Sequence, residues 1–150
     1  MNREDIHSTK IDFKKLLFEV EHPGAGTFEA QASIEAQIGV VGVRKEFDAI
    51  RLSFSMRSIS ESFFHFELAG VATLTFKRRL APNELKEKTL YKICFAQCVN
   101  TIIEVVANNS GRMGLTPIVI EKKVFSDLFN GCVEKLNLEH FNVETKAETK

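Results

Sequence analysis

Four histidines and three cysteines are the side chains best suited to chemistry in this 150-residue chain. His7, His22, His65 and His140 are scattered, and none stands three or four residues from a cysteine or another histidine. Cys94 and Cys98 share a face if their segment is helical, but two ligands do not make a zinc site. Their apolar surroundings favour small core hydrophobes, the usual fate of free cysteines. Gly24-Ala25-Gly26 precedes a strand pattern rather than a helix, so no helix dipole would meet a phosphate there. Glu29 and Glu35 fall on one face of that strand, too far apart along it for a paired acid and base. Lys77-Arg78-Arg79 is the one basic run, and it lacks the interleaved aromatics that stack on bases. Asp48 and His65 are the nearest candidates for acid–base work, and neither has a partner by spacing. These residues predict no catalysis, no metal, no cofactor and no nucleic-acid partner.

Composition narrows the remaining classes. Lys plus Arg equals Asp plus Glu at 20 each, so no global field draws in nucleic acid or a basic partner. Thirteen Phe stand beside one Tyr and no Trp. Phe has no polar handle, so this many imply a large core, a subunit interface, or apolar surface kept for a partner. An odd cysteine count is no disulfide framework, and free thiols fit a reducing, cytoplasmic setting. The opening MNREDIHSTK is polar, so no signal peptide is expected. No stretch is expected to reach the roughly 18 apolar residues of a membrane span.

The elements that would position these side chains emerge from periodicity. Over residues 28–40 apolar and polar residues alternate strictly, with Phe28, Ala30, Ala32, Ile34, Ala36, Ile38 and Val40 on one face. That is a strand with one face on a core, an arrangement antiparallel sheets tolerate. Residues 12–21, 50–59 and 63–76 read as three more strands, the last two joined as a hairpin through 58–62. Gly39-Val40-Val41-Gly42 is placed to bend a strand or end it. After Pro82, with Asn83 as N-cap, apolar residues from Leu85 to Val106 recur at three- and four-residue steps. They predict a helix over 84–108, stopped by Asn108-Asn109-Ser110-Gly111. A second helix is predicted over 121–138. Sheet first and helices after is an α+β domain: a four-stranded antiparallel sheet followed by a long helix and a C-terminal helix. Residues 1–138 form one such domain, and 139–150 is a polar tail expected to lack fixed structure.

This order of elements, and two local stretches, resemble the SecB family of export chaperones. The first is Lys15-Leu16-Leu17-Phe18-Glu19-Val20-Glu21-His22-Pro23, similar to the family's first strand with its Phe-Glu pair before a Pro-containing turn. The second is Gly111-Arg112-Met113-Gly114-Leu115-Thr116-Pro117-Ile118 with Val124-Phe125-Ser126-Asp127-Leu128-Phe129 after it, similar to the family's loop and final helix. The resemblance implies a homotetramer, a dimer of dimers, that binds unfolded polypeptide in apolar grooves without ATP and hands it to SecA. It implies SecA docking through Glu19 and Glu67, although Lys15 stands where the family usually has an acidic residue. The groove residues expected on this reading are Met113, Leu115, Ile118 and Phe125, with Phe54 and Phe95 behind them. A SecB-like chaperone for a non-export client, such as an antitoxin, is the variant that the neutral charge allows. The rival classes are a small-molecule-binding or thioesterase-like domain, in which a long helix also packs on an antiparallel sheet, and a purely structural subunit.

Overall fold

The computed structural model describes residues 2–20, 34–58, 64–112, 120–139 and 142–144. Four long strands, β1 (Ile6–Val20), β2 (Ile34–Arg44), β3 (Ala49–Ser58) and β4 (Phe64–Phe76), are followed by helices α1 (Lys88–Arg112) and α2 (Lys122–Glu134). A two-residue strand, β5 (Val143–Glu144), comes after α2. The spatial order is β1-β4-β3-β2-β5. The first four strands pair antiparallel, and β5 runs parallel to β2. The predicted hairpin is thus β3–β4, and β1 returns to lie beside β4 at one edge. The link between β3 and β4 lies outside the described residues, as does the predicted strand start at 28–33.

Alternation does what period two requires. Ile50, Leu52, Phe54 and Met56 on β3, with Phe66, Leu68, Ala72, Leu74 and Phe76 on β4, are buried on the face that meets the helices. Arg51, Ser53, Ser55 and Arg57 point the other way, less buried or exposed. Three irregularities keep the edge strands in step with that core, the first of them between Ile6 and Ser8 in β1. In β1 the register shifts between Phe13 and Lys15, so Leu16 and Phe18, rather than Lys15 and Leu17, stand opposite Leu68 and Phe66. In β2 it shifts between Val40 and Gly42, so Val43, fully buried, stands opposite Ile50. Each inserts one residue and moves the rest of the strand to the opposite face. The Gly39–Gly42 run is therefore a bulge inside one strand, and the strand does not end there.

The helices also depart from their local signals. Asn83 opens a short 3-10 turn, Glu84–Lys86, without a side-chain cap, and α1 begins only at Lys88. Glu84 is occupied instead: its carboxylate accepts from the Ala81 N–H at 2.8 Å and from Arg78 at 2.6 Å. The buried Tyr91 hydroxyl donates to the Leu85 carbonyl at 2.6 Å, tying the turn to the helix. At the other end α1 runs through Asn108-Asn109-Ser110-Gly111 to Arg112. Asn109 Nδ2 donates to Val105 O and Ser110 Oγ to Ala107 O, so these side chains bond back into the helix. Ser110 is fully buried, and its packing outweighs the stop signal. By length and composition α1 is apolar enough to cross a membrane, contrary to the sequence expectation. Its buried residues, among them Leu90, Phe95, Val99 and Ile102, belong to the domain core, and a core helix satisfies the same criterion.

Phe47, between β2 and β3, has φ 59°, the left-handed region that a bulky residue rarely enters. Three contacts hold it there. Its carbonyl accepts from Leu80 N–H at 2.7 Å, Arg44 and Asp48 clamp the turn with paired 2.8 Å hydrogen bonds, and the Arg79 guanidinium lies 6.0 Å from its ring centre.

Candidate functional site

The sheet offers two surfaces, and the sequence-derived candidates divide between them. The outer face carries the charged ones. Glu19 on β1 stands opposite His65 on β4, and Leu17 opposite Glu67, so Glu19 and Glu67 are diagonal neighbours on one face. Glu19 is exposed, whereas Glu67 is held from two sides. Lys15 Nζ lies 2.5 Å from its Oε1, and His65 Nε2 lies 3.3 Å from its Oε2. The Lys15 hydrogen bond, and then that of His65, hold the Glu67 carboxyl below its ordinary value.

His65 has a partner that spacing did not reveal. Its Nδ1 and Ser58 Oγ hydrogen-bond at 2.8 Å, which makes a line Ser58–His65–Glu67–Lys15 across three strands. Serine, histidine and carboxylate in a row are the components of a nucleophile relay, but the geometry here is structural. Ser58 is 3% exposed, and its oxygen accepts the Phe66 N–H at 3.0 Å, so the hydroxyl closes the end of the β3–β4 ladder. A nucleophile must instead reach a substrate carbonyl beside donors for the developing oxyanion. Asp48 and His65 are not brought together: Asp48 O accepts from Phe76 N–H at the far end of β4, and the Asp48 carboxylate is taken by Arg44. Among the described residues, no group of three or more His, Cys, Asp or Glu side chains could hold a metal ion. Cys94 and Cys98 are core, with burial pushing Cys94 up and Cys98 up to about 12.

The helix-facing side carries the apolar candidates. Phe54, Phe95 and Phe125 are 3%, 1% and 0% exposed, so in the single chain all three are closed to solvent. Phe95 stacks on Phe129 at 5.1 Å, and the pair lies under a groove of about 240 Å³ between α1 and α2, with Ile93, Ala96 and Val99 on the α1 side. Phe54 is the edge-on partner of Phe13 at 6.0 Å. Met113, Leu115 and Ile118 lie outside the described residues.

What sequence reasoning missed is the sheet edge. Leu16 faces the helix side opposite Leu68, which is 1% exposed, yet Leu16 itself is 50% exposed. Phe13 and Phe18 beside it are half-buried, Phe18 stacking on Phe66 at 6.3 Å. The two helices therefore do not cover the whole apolar face. The only sequence signal is the Leu16-Leu17 pair, which breaks alternation and so hides which of the two faces inward.

No family model and no curated protein matches the chain. Among solved structures, it is similar to the Mycobacterium tuberculosis Rv1957 SecB-like chaperone, solved in complex with a ChAD peptide from the Rv1956 HigA1 antitoxin. The likeness has a TM-score of 0.55 at 18% identity and covers 77% of this chain and 86% of that one. A protein of unknown function from Streptococcus agalactiae aligns at a TM-score of 0.41 and 7% identity, over 76% of this chain and 97% of that one, too low to carry an argument. The chain thus has a SecB-like α+β fold, with a four-stranded antiparallel sheet followed by two helices.

Proposed function

We propose that this chain is an ATP-independent chaperone that binds unfolded or non-native polypeptide on the apolar side of its sheet. One observation carries the reading: Leu16, opposite the buried Leu68, remains half exposed between the half-buried Phe13 and Phe18. A sheet face wider than its helical cover leaves apolar surface for another polypeptide. The groove over Phe95 and Phe129 adds to it, and the expected contacts Met113, Leu115 and Ile118 belong to the same proposal. The SecB-like fold supports it, and the structural neighbour was solved with a bound peptide. A homotetramer working in the cytoplasm is part of the proposal. Its client-facing chemistry is area burial, at about 25 cal/mol per Å² of apolar surface.

For delivery, two routes stand side by side: SecA, through Glu19 and Glu67, or a non-export client such as an antitoxin. The Lys15–Glu67 pair favours the second, because it neutralises one of the two acidic groups that docking would use.

The test is aggregation of a reduced, denatured protein, monitored by light scattering without ATP. Suppression near one assembly per client supports the chaperone. If several-fold excess leaves aggregation unchanged, the reading fails and a ligand-binding or structural role takes its place.

A further inference from the structure

The chain is neutral as a whole, but charge on the outer face of its sheet is not evenly spread. Towards the end where β1 starts, Lys10, Lys14 and Arg51 surround one carboxylate, Asp12. Towards the other end, Lys15 and Arg57 stand against Glu19, Glu35 and Glu67. Strand pairing builds the first cluster. Lys10 on β1 and Arg51 on β3 both stand opposite Thr73 of β4, one on each side. Lys14 is the residue inserted at the β1 bulge, and its Nζ donates to Asp12 Oδ2 at 2.7 Å. That hydrogen bond, with the charges of Lys10 and Arg51 behind it, holds the Asp12 carboxyl below its ordinary value. Lys10 is exposed, and among the described residues it makes no ion pair.

We propose that this end of the outer face is a docking surface for an extended acidic polypeptide segment, a partner distinct from any client held on the apolar side. The inference goes beyond the chaperone reading and does not depend on it. Spacing and floor argue for that class of partner. Lys10 and Lys14 are four positions apart on one strand, about 13 Å, and Lys10 and Arg51 are two strands apart, about 10 Å. That spread suits several anionic groups in a row better than one phosphate. An extended segment sends alternate side chains to one side about 6.6 Å apart, so its carboxylates reach more than one of the three cations. The floor between Lys10 and Arg51 is Thr73, with Thr75 and Ser8 paired beside it, and hydroxyls donate to carboxylates. Gly42, opposite Arg51 on β2, adds no side chain to block the approach.

Nucleic acid shares the anionic chemistry and fits less well. Bases need aromatic rings to stack on, and the residues around the cluster, among them Ser53, Val71, Thr73 and Thr75, carry none. The far end of the face fixes where the segment lies. Glu19, Glu35 and Glu67 repel an acidic chain laid over them and confine it to the cationic end. Exposed charge pairs are individually weak, so binding depends on several contacts at once and is sensitive to salt.

The test uses the full chain and fluorescein-labelled poly-L-glutamate, with binding followed by anisotropy at low salt. Wild type is expected to bind the probe and to release it as salt is raised. Lys10→Glu with Arg51→Glu is expected to weaken binding by roughly tenfold, and Lys10→Glu alone, at an exposed position, by a smaller factor. Lys122→Glu with Lys123→Glu, on α2, makes the same change in net charge and should bind as wild type does. Urea midpoints check that each variant is folded. If wild type fails to bind the probe, or the α2 variant loses as much affinity as the sheet variant, the proposal is overturned. Equal affinity for oligo-deoxythymidine, lost with the same sheet residues, would overturn the choice of partner. Aggregation suppression, read on the same variants, is expected to match wild type, so the chaperone reading stands or falls by itself.

Discussion

Lys15 on β1 and Glu67 on β4, 52 positions apart in sequence, meet at 2.5 Å on the outer face of the sheet. Glu67 also takes His65, so the acidic group that a SecA-docking reading would use is already paired. The pair is partly open to solvent, with Lys15 55% and Glu67 28% exposed at the side chain, so its contribution to stability is small.

Lys15→Glu should therefore change binding more than folding. The denaturant midpoint is expected to move by less than about 1 kcal/mol equivalent, the range of exposed ion pairs. SecA binding, measured by calorimetry at low and high salt, should strengthen only in the variant and fade with salt. Wild-type binding as tight as that of the variant would show that the Lys15–Glu67 pair does not mask docking.

Leu16→Asp tests the uncovered edge. Leu16 is half exposed already, so thermal stability of the isolated domain should change by no more than about 0.5 kcal/mol, as for other surface positions. Assembly mass by light scattering and aggregation suppression should both fall. A variant that suppresses aggregation as well as wild type would remove Leu16 from the client surface.

Two glycines should respond differently to alanine. A Cβ on Gly70 would stand 2.8 Å from the Asp12 carbonyl oxygen and 3.0 Å from the Phe54 ring tip, and the backbone carbonyl cannot step aside. A Cβ on Gly39 would meet the Ser53 hydroxyl at 2.9 Å, and a hydroxyl can rotate away. Gly70→Ala is expected to cost about 1–3 kcal/mol, as overpacked cores do, and Gly39→Ala clearly less. Urea midpoints of the two variants check the order.

Glu84 sets an acid dependence. Its carboxyl is drawn from 4.5 down to about 2, first by the Arg78 hydrogen bond and then by the Ala81 N–H. A depressed carboxylate stabilises the fold above its unfolded value, and that contribution is lost as pH falls from 4.5 towards 2. Glu84→Gln should therefore be less stable than wild type at pH 7, and the gap should narrow by about pH 3. A constant gap in urea midpoints across that range would contradict the assignment.

The thiols offer a kinetic check on burial. Cys94 and Cys98 are fully buried, and burial raises both thiols far above their ordinary value. Cys132 is half-buried, and Lys135 opposes the effect of its burial. Thiolate is the reactive form, so iodoacetamide at about pH 8 should modify Cys132 in the native protein and all three cysteines in urea. Mass spectrometry reads the sites. Rapid native labelling of Cys94 would mean that α1 opens readily from the core.

Much of this architecture is written in short-range periodicity. Strict alternation places Ile50, Leu52, Phe54 and Met56 on one face of β3, and the three-to-four spacing of Leu90, Cys94, Cys98 and Ile102 places them on one face of α1. Those are properties of a strand and a helix taken alone, so sequence suffices for the four strands, the two helices and their order. Tertiary structure decided what depends on distant partners. The bulges in β1 and β2 exist because Leu16 must meet Leu68 and Val43 must meet Ile50. α1 passes its own stop signal because Ser110 is buried in the core. Val143–Glu144 pair with Val43–Arg44 of β2, a contact between segments far apart in sequence that the polar composition of the tail does not announce. The Ser58–His65–Glu67–Lys15 line is assembled by strand pairing between residues with no spacing in common. Which apolar side chains remain exposed is likewise set by how far the helices reach across the sheet. Leu16, exposed, and Phe125, buried, differ in that coverage and not in hydrophobic character, and coverage is a property of the whole fold.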